Sequence, residues 1–344
     1  MEIQTQMPLL QSDGTLNQDG WARSPLWIYN RSQIAAGKWR IKEWDYYSVL
    51  SSDQKFGITI TLADLGYVGL AAICFLDFDK RDFIQEETMT ILPMGSTGFS
   101  LNSYEGNLNF EDSKIKLSMQ VNGKERKLRF SAPMMKHFSG ETGLHGEIIL
   151  NESIGPHESM NIATSWKENR KAFYYNTKIN CLSAKGAFAF GNKTYTFHPE
   201  TDFGGLDWGR GVWTYKNRWY WSSASGLLEG KRFGFNLGYG FSDRSKVSEN
   251  VLFYEGKVHK LDEITFHMNT QNYYAPWKFT SNDQRLKLDF TPIVDRNSKL
   301  DLFLIKSIQH QVFGKFTGTV VLDNGKSLQL NQFLGFAEDV LNWW

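Results

Sequence analysis

Apolar and aromatic residues recur along this chain in short runs rich in β-branched side chains, each bounded by Gly, Asn, Asp or Ser. That pattern predicts strands almost throughout. A first series covers Trp39 to Leu50, Phe56 to Ala63, Tyr67 to Phe78, Phe83 to Leu92, Ile115 to Val121, Lys127 to Ser131 and Leu144 to Asn151. A second covers Phe173 to Cys181, Gly186 to Phe190, Tyr195 to Phe197, Val212 to Ala224, Arg232 to Phe241, Val251 to Tyr254, Glu263 to Met268, Arg285 to Phe290, Gln311 to Leu322 and Lys326 to Asn331. Asn122-Gly123 and Asp323-Asn324-Gly325 carry the residues of tight hairpins, so each series reads as an antiparallel meander. Helix is expected in two places only: a short one from Pro25 towards Ala36, stopped by Gly37, and a terminal helix or aromatic plug from Phe333 to Trp344. The polar, irregular stretch Gly155 to Arg170 places a division between two β domains, residues 1–165 and 166–344.

The two series also echo one another. Trp44-Asp45-Tyr46-Tyr47-Ser48 is answered by Trp219-Tyr220-Trp221-Ser222-Ser223, and Lys55-Phe56-Gly57-Ile58 by Arg232-Phe233-Gly234-Phe235. Leu76 to Asp79 is answered by Leu252 to Glu255, Lys127 to Phe130 by Lys287 to Phe290, and Gly146 to Leu150 by Gly318 to Leu322. Collinear matches spaced this far apart indicate two copies of one β-rich unit and exclude a solenoid or propeller blade, whose repeats are much shorter.

Composition narrows the function classes. The 38 basic and 37 acidic residues nearly cancel, which removes the electrostatic footprint of a nucleic-acid binder or a polybasic anchor. Cys74 and Cys181 are too few for a disulfide framework and stand in apolar runs, so they are expected as buried thiols. Met1 to Leu10 lacks the pattern of a signal peptide, and the apolar run Val68 to Leu76 is only of strand length; a cytoplasmic protein without a transmembrane segment is the expectation. No His pair has metal-ligand spacing and no dinucleotide or nucleophile-elbow motif is present, so no metal or cofactor is expected. His310-Gln311 reads as a satisfied structural pair, and Asp77 with Asp79 as a solvated strand end.

Aromatic residues make up 15% of the chain, with 12 Trp, more than two small cores need. They concentrate between Asp202 and Phe241, where the strand Phe233 to Phe241 alternates bulky residues with Gly234, Asn236, Gly238 and Gly240. One face of that strand is nearly bare, leaving room for another backbone or for a ligand. Trp219 and Trp221 share a face on the neighbouring strand and are candidates to wall an apolar site with Trp208, Trp213, Asn236 and Tyr239. In Asp207-Trp208-Gly209-Arg210, Asp207 is either a general acid raised by burial or a salt bridge to Arg210, and the residues alone favour the salt bridge.

The blocks Glu158 to Thr164, Phe173 to Cys181, Leu206 to Trp213 and Phe235 to Gly240 resemble the bacterial family catalogued as domain of unknown function 2804, and the resemblance extends over nearly the whole chain. More distantly, the order of motifs is similar to AttH-like and carotenoid-hydratase proteins, which have two lipocalin-like barrels. That resemblance implies an all-β tandem of lipocalin-like barrels handling long apolar molecules, with Asp207 as the match to the hydratase acid. The expected function is binding of a lipid or isoprenoid-like molecule, with Trp208, Arg210, Trp213, Trp219, Trp221, Asn236 and Tyr239 around it. The alternatives are a cofactor-free hydratase, cyclase or isomerase with Asp207 as acid, and a glycan-binding or glycan-cleaving β domain.

Overall fold

A computed structural model of the chain describes residues 1–153, 155–302 and 305–343. Nearly all its regular structure is antiparallel strand, gathered into two curled half-barrel sheets. The larger sheet, of 13 strands, runs from Asp82–Ile91 through Val68–Asp77 and Phe56–Asp64 to Ile41–Ser51, crosses to Phe203–Val212 and Phe173–Phe190, and continues through Thr142–Asn151, Glu125–Lys136, Lys116–Asn122 and Glu105–Glu111. The second, of 9 strands, follows the same path: Lys257–Lys260, Val251–Tyr254, Lys231–Tyr239, Lys216–Leu228, Ser327–Trp343, Ile305–Val321, Leu286–Leu302, Trp277–Ser281 and Ile264–His267. Because successive side chains point to opposite faces, each sheet turns one set inward. Ile58, Ile73, Phe75, Leu128 and Phe188 fill the first barrel; Phe235, Trp277, Phe279, Phe290 and Phe316 fill the second.

Pairing registers test the duplication residue by residue. Phe56 pairs with Ser51 and Ala63 with Trp44, while Phe233 pairs with Gly226 and Tyr239 with Tyr220. Counted from those hairpins, Trp44 and Trp219 hold equivalent positions, as do Tyr46 and Trp221. The later echoes do not align. Gly186 and Gly318 have the same left-handed φ, +129° and +141°, and a Cβ on either would strike the facing strand at Glu147 and Ile148 or at Lys287 and Leu288. Thr142–Asn151 therefore corresponds to Leu286–Leu302, and the Lys127/Lys287 and Gly146/Gly318 echoes are displaced by one strand.

Both expected helices are absent. Between Pro25 and Ala36 there is a parallel pairing of Trp27–Ile28 with Met7–Pro8 and one 3₁₀ turn, Arg31–Gln33. Phe333 onward is strand, Ser327–Trp343, because it hydrogen-bonds on one side to Lys216–Leu228 and on the other to Ile305–Val321; tertiary pairing overrides local propensity. Trp344 lies outside the described residues. Strand pairing passes from one sheet to the other between Val212 and Lys216, whereas composition placed the division at 165/166. The supposed linker contains the buried strand Met160–Ser165, whose Asn161 accepts a hydrogen bond from Thr177 at 2.8 Å. Among the described residues no helix is long and apolar enough to cross a membrane.

Candidate functional site

The barrels meet along the outward faces of equivalent strands. From the first sheet come Trp44 and Tyr46 on Ile41–Ser51, Asp207 on Phe203–Val212, and Tyr174, Asn176 and Lys178 on Phe173–Phe190. The second sheet presents Trp219 and Trp221, the Gly-bare face of Lys231–Tyr239, and Phe336 with Glu338. The equivalent rings of Tyr46 and Trp221 meet edge to face at 5.8 Å. A bulge seals the seam. At Asn180 and Cys181 the pairing register shifts, Cys181 takes φ +60°, and inward residues change from odd (Tyr175, Ile179) to even (Leu182, Phe188) numbers. Asn180, pushed out by the bulge, donates to Ser223 Oγ at 2.8 Å and to the Phe235 carbonyl at 3.2 Å.

An aromatic cluster stands at one end of this seam. The buried Trp213 ring lies 5.8 Å from Trp44, 5.5 Å from Trp219, 5.1 Å from Tyr174 and 5.5 Å from Phe241. Trp44 and Trp219, the equivalent pair, remain half-buried and form the rim.

A charged set lies within the same seam. Lys178 Nζ is 2.7 Å from Asp207 Oδ2 and 3.9 Å above the Trp221 ring, while Asn176 donates to Asp207 Oδ1 at 2.5 Å. Trp221 Nε1 donates to Asn236 Oδ1 at 2.7 Å, and Asn236 Nδ2 to the Glu249 carbonyl at 2.9 Å. Two further carboxyls converge here. Glu338 accepts from Gln311 Nε2 at 2.6 Å and hydrogen-bonds with Trp219; burial raises its carboxyl from 4.5 to about 7 against the pull of Lys178. Burial also holds Glu249 above its ordinary value, with Lys178 opposing and Asp207 assisting, and its Oε2 has no hydrogen-bond partner among the described residues. Tyr174, likewise raised by burial, feels the charges of Glu249, Asp207 and Glu338.

The structure sorts the expected site residues by strand parity. Asp207, Trp213, Trp219, Trp221 and Asn236 come together at the seam. Trp208 and Arg210 do not, because even positions of Phe203–Val212 face into the first barrel. There the Arg210 guanidinium stacks 3.8 Å from the Trp208 ring and pairs with Asp45 at 3.0 Å. Asp207 is in a salt bridge, but its partner is Lys178 on the neighbouring strand, directly opposite in register. Tyr239 faces the second barrel's rim, stacks on Tyr220 at 4.7 Å and accepts from the Phe266 N–H. His310 Nδ1 pairs with Asp295 at 2.9 Å and stacks on Tyr273, on the face opposite Gln311. Cys74 and Cys181 are buried, which pushes their thiols up to about 11 and about 12.

Lys178, Tyr174, Glu249, Gln311 and Glu338 were missed. For Lys178 a signal existed: it follows Tyr174 and Asn176 at a spacing of two. The bare strand face is occupied. Gly234 receives Asn180 and Cys181, and a Cβ on Gly238 would land on Glu249 Oε1. Gly238→Ala is accordingly expected to displace Glu249 and lower stability by about 1–3 kcal/mol, read from the urea midpoint. An unchanged midpoint would mean that Glu249 has room to leave.

Two voids border the seam. One, of about 10 Å³, touches Ser48, Gly205, Ser225 and Phe336 and is the size of one water. The other, of about 440 Å³, lies across the 241–250 loop and is lined by Trp21, Tyr239, Arg244, Asn250, Lys260 and Glu263. Among the described residues no group of three or more His, Cys, Asp or Glu could hold a metal ion.

The family model described as Domain of unknown function (DUF2804) matches residues 1–344. No curated protein matches the chain. Among solved structures, an AttH-like protein of Nitrosomonas europaea superposes with a TM-score of 0.55 at 12% identity, covering 97% of this chain and 98% of that one. Kievitone hydratase of Nectria haematococca gives 0.54 at 11% identity over 97% and 98%. CghA, solved with Sch210972, gives 0.54 at 13% identity over 88% and 87%. At these identities the likeness is one of fold, the two-barrel architecture.

Proposed function

The chain belongs to the DUF2804 family, and within that family we propose that its two-barrel junction binds a hydrophobic small molecule against the rings of Trp44, Trp213 and Trp219. The observation that carries this reading is the half-buried pair Trp44 and Trp219, set at equivalent positions on either side of Trp213 and backed by buried carboxyls. A ligand removing ~200 Å² of apolar surface from water gains about 5 kcal/mol, enough for capture even after the cost of ordering it. Tryptophan fluorescence tests this with β-ionone, an apolar isoprenoid ketone. It is expected to quench wild type, with Trp219→Ala binding at least about tenfold more weakly. Equal quenching of wild type and Trp219→Ala would place the ligand elsewhere.

A second reading, proton transfer to the bound molecule, is favoured by Glu338. A carboxyl that keeps its proton near neutrality beneath an aromatic wall meets the requirement for a general acid. Neutral Glu338 donates its proton to an alkene carbon or carbonyl oxygen, and the Trp213 and Trp219 ring faces stabilise the cation formed. The Glu338 carboxylate then recovers a proton, either from a water that adds to the cation or from the adjacent carbon. The first course is hydration and the second isomerisation. Asp207, committed to Lys178, serves in this scheme to balance charge. A hydratase stands among the proteins of similar fold, which supports the reading without carrying it.

A further inference from the structure

Gln311 sits between a group that only donates and a carboxyl. Arg296 Nη1 donates to Gln311 Oε1 at 2.8 Å, and a guanidinium offers no acceptor, so the amide oxygen must face Arg296. Both amide hydrogens then point the other way, to the Tyr46 hydroxyl at 2.9 Å and to Glu338 Oε1 at 2.6 Å. Arg296 is itself fixed by Gln85, whose Oε1 accepts from its Nε at 2.7 Å across the seam from the first sheet's edge strand. The chain of donors has one direction. Glu338 Oε1 is left as an acceptor only, since a proton there would oppose the Gln311 N–H. Of the other groups that act on Glu338, Lys178 and Trp219 are donors and Asp207 is already paired with Lys178, so none of them offers a free acceptor that would draw the proton to Oε1.

Resting on the reading of Glu338 as a neutral acid, we infer that Arg296 and Gln311 are positioning residues that keep its proton on Oε2, so that the junction selects molecules presenting a hydrogen-bond acceptor such as a carbonyl, an ether oxygen or an electron-rich alkene. An amide free to reverse would offer its oxygen to the carboxyl and let the proton sit on either atom. Ligands that only donate, such as ammonium groups, are then unsuited to Oε2 at the pH where Glu338 is neutral.

Infrared difference spectra of the full chain between about pH 5 and about pH 8 test the assignment through the carbonyl stretch of neutral Glu338, identified by its loss in Glu338→Gln. Wild type and Arg296→Lys, which still only donates, are expected to give one narrow band. Arg296→Met should broaden or split it as Gln311 reverses. Gln311→Met, which removes the donor from Oε1 altogether, should shift it to higher frequency and keeps the test open if Arg296→Met does not fold. A band of unchanged frequency and width in Arg296→Met and Gln311→Met overturns the positioning role and leaves the acid intact. The absence of any Glu338-dependent band in wild type overturns the acid reading itself.

Discussion

Lys178→Met is expected to destabilise the protein by about 3–5 kcal/mol, the cost of leaving a buried carboxylate without its cation. Lys178 and Asp207 are both buried, 2.7 Å apart, and the ammonium also lies over Trp221, so the substitution removes the only cation paired with that carboxylate among the described residues. Asn176 cannot substitute, since it supplies one neutral N–H. The double variant Lys178→Met with Asp207→Asn should recover most of the loss, because an amide oxygen accepts the Asn176 hydrogen bond without carrying charge. Urea unfolding of the four proteins measures the coupling directly. A single-variant cost below about 1 kcal/mol, the range of exposed pairs, would mean that water reaches Asp207.

The second large effect depends on pH. The folded chain holds Glu338 at about 7 against an ordinary 4.5, so the folded state binds a proton that the unfolded state has already released between those values. The stability contributed by Glu338 is therefore complete below pH 4.5 and is lost as pH rises through about 7, by about 3 kcal/mol in all. Glu338→Gln keeps the polarity of the neutral acid, with an oxygen to accept from Gln311 and a donor in place of the Oε2 proton. It should lack this loss and gain on wild type by about that amount at pH 8. Parallel stability curves for the two proteins would show that Glu338 titrates normally in the folded chain.

Much of the architecture was legible because alternation is a local signal. Phe233, Phe235 and Leu237 against Gly234, Asn236 and Gly238 gave the two faces of one strand, and the inner set does line the second barrel. The same rule places Asp207 and Arg210 on opposite faces, three positions apart, so the salt bridge expected between them does not form. Lys178 as the partner of Asp207 depends on inter-strand register, which no local pattern encodes. Glu338 was hidden differently: Phe333 to Trp344 resembles an amphipathic helix until two neighbouring strands claim it, and only in strand geometry do Leu334, Phe336 and Glu338 share the junction face. The first two echoes mark equivalent positions, while the last two arise because neighbouring strands carry similar β-rich sequences.

The pairing of Ile41–Ser51 with Phe203–Val212 also governs the order of events at the ribosome. The first barrel's opening strand waits for a partner synthesised some 160 residues later, and loop closure over that span makes the step intrinsically slow. Until Phe190 has emerged one edge of Thr142–Asn151 stays open, and until Val212 has emerged one edge of Ile41–Ser51 does, each able to recruit a strand from another nascent chain. A product truncated near residue 165 would carry those edges permanently. The vulnerable interval for self-association thus falls before the second barrel has begun to form: Phe173–Phe190 caps Thr142–Asn151, and Phe203–Val212, pairing with that long strand on one side and with Ile41–Ser51 on the other, ends it.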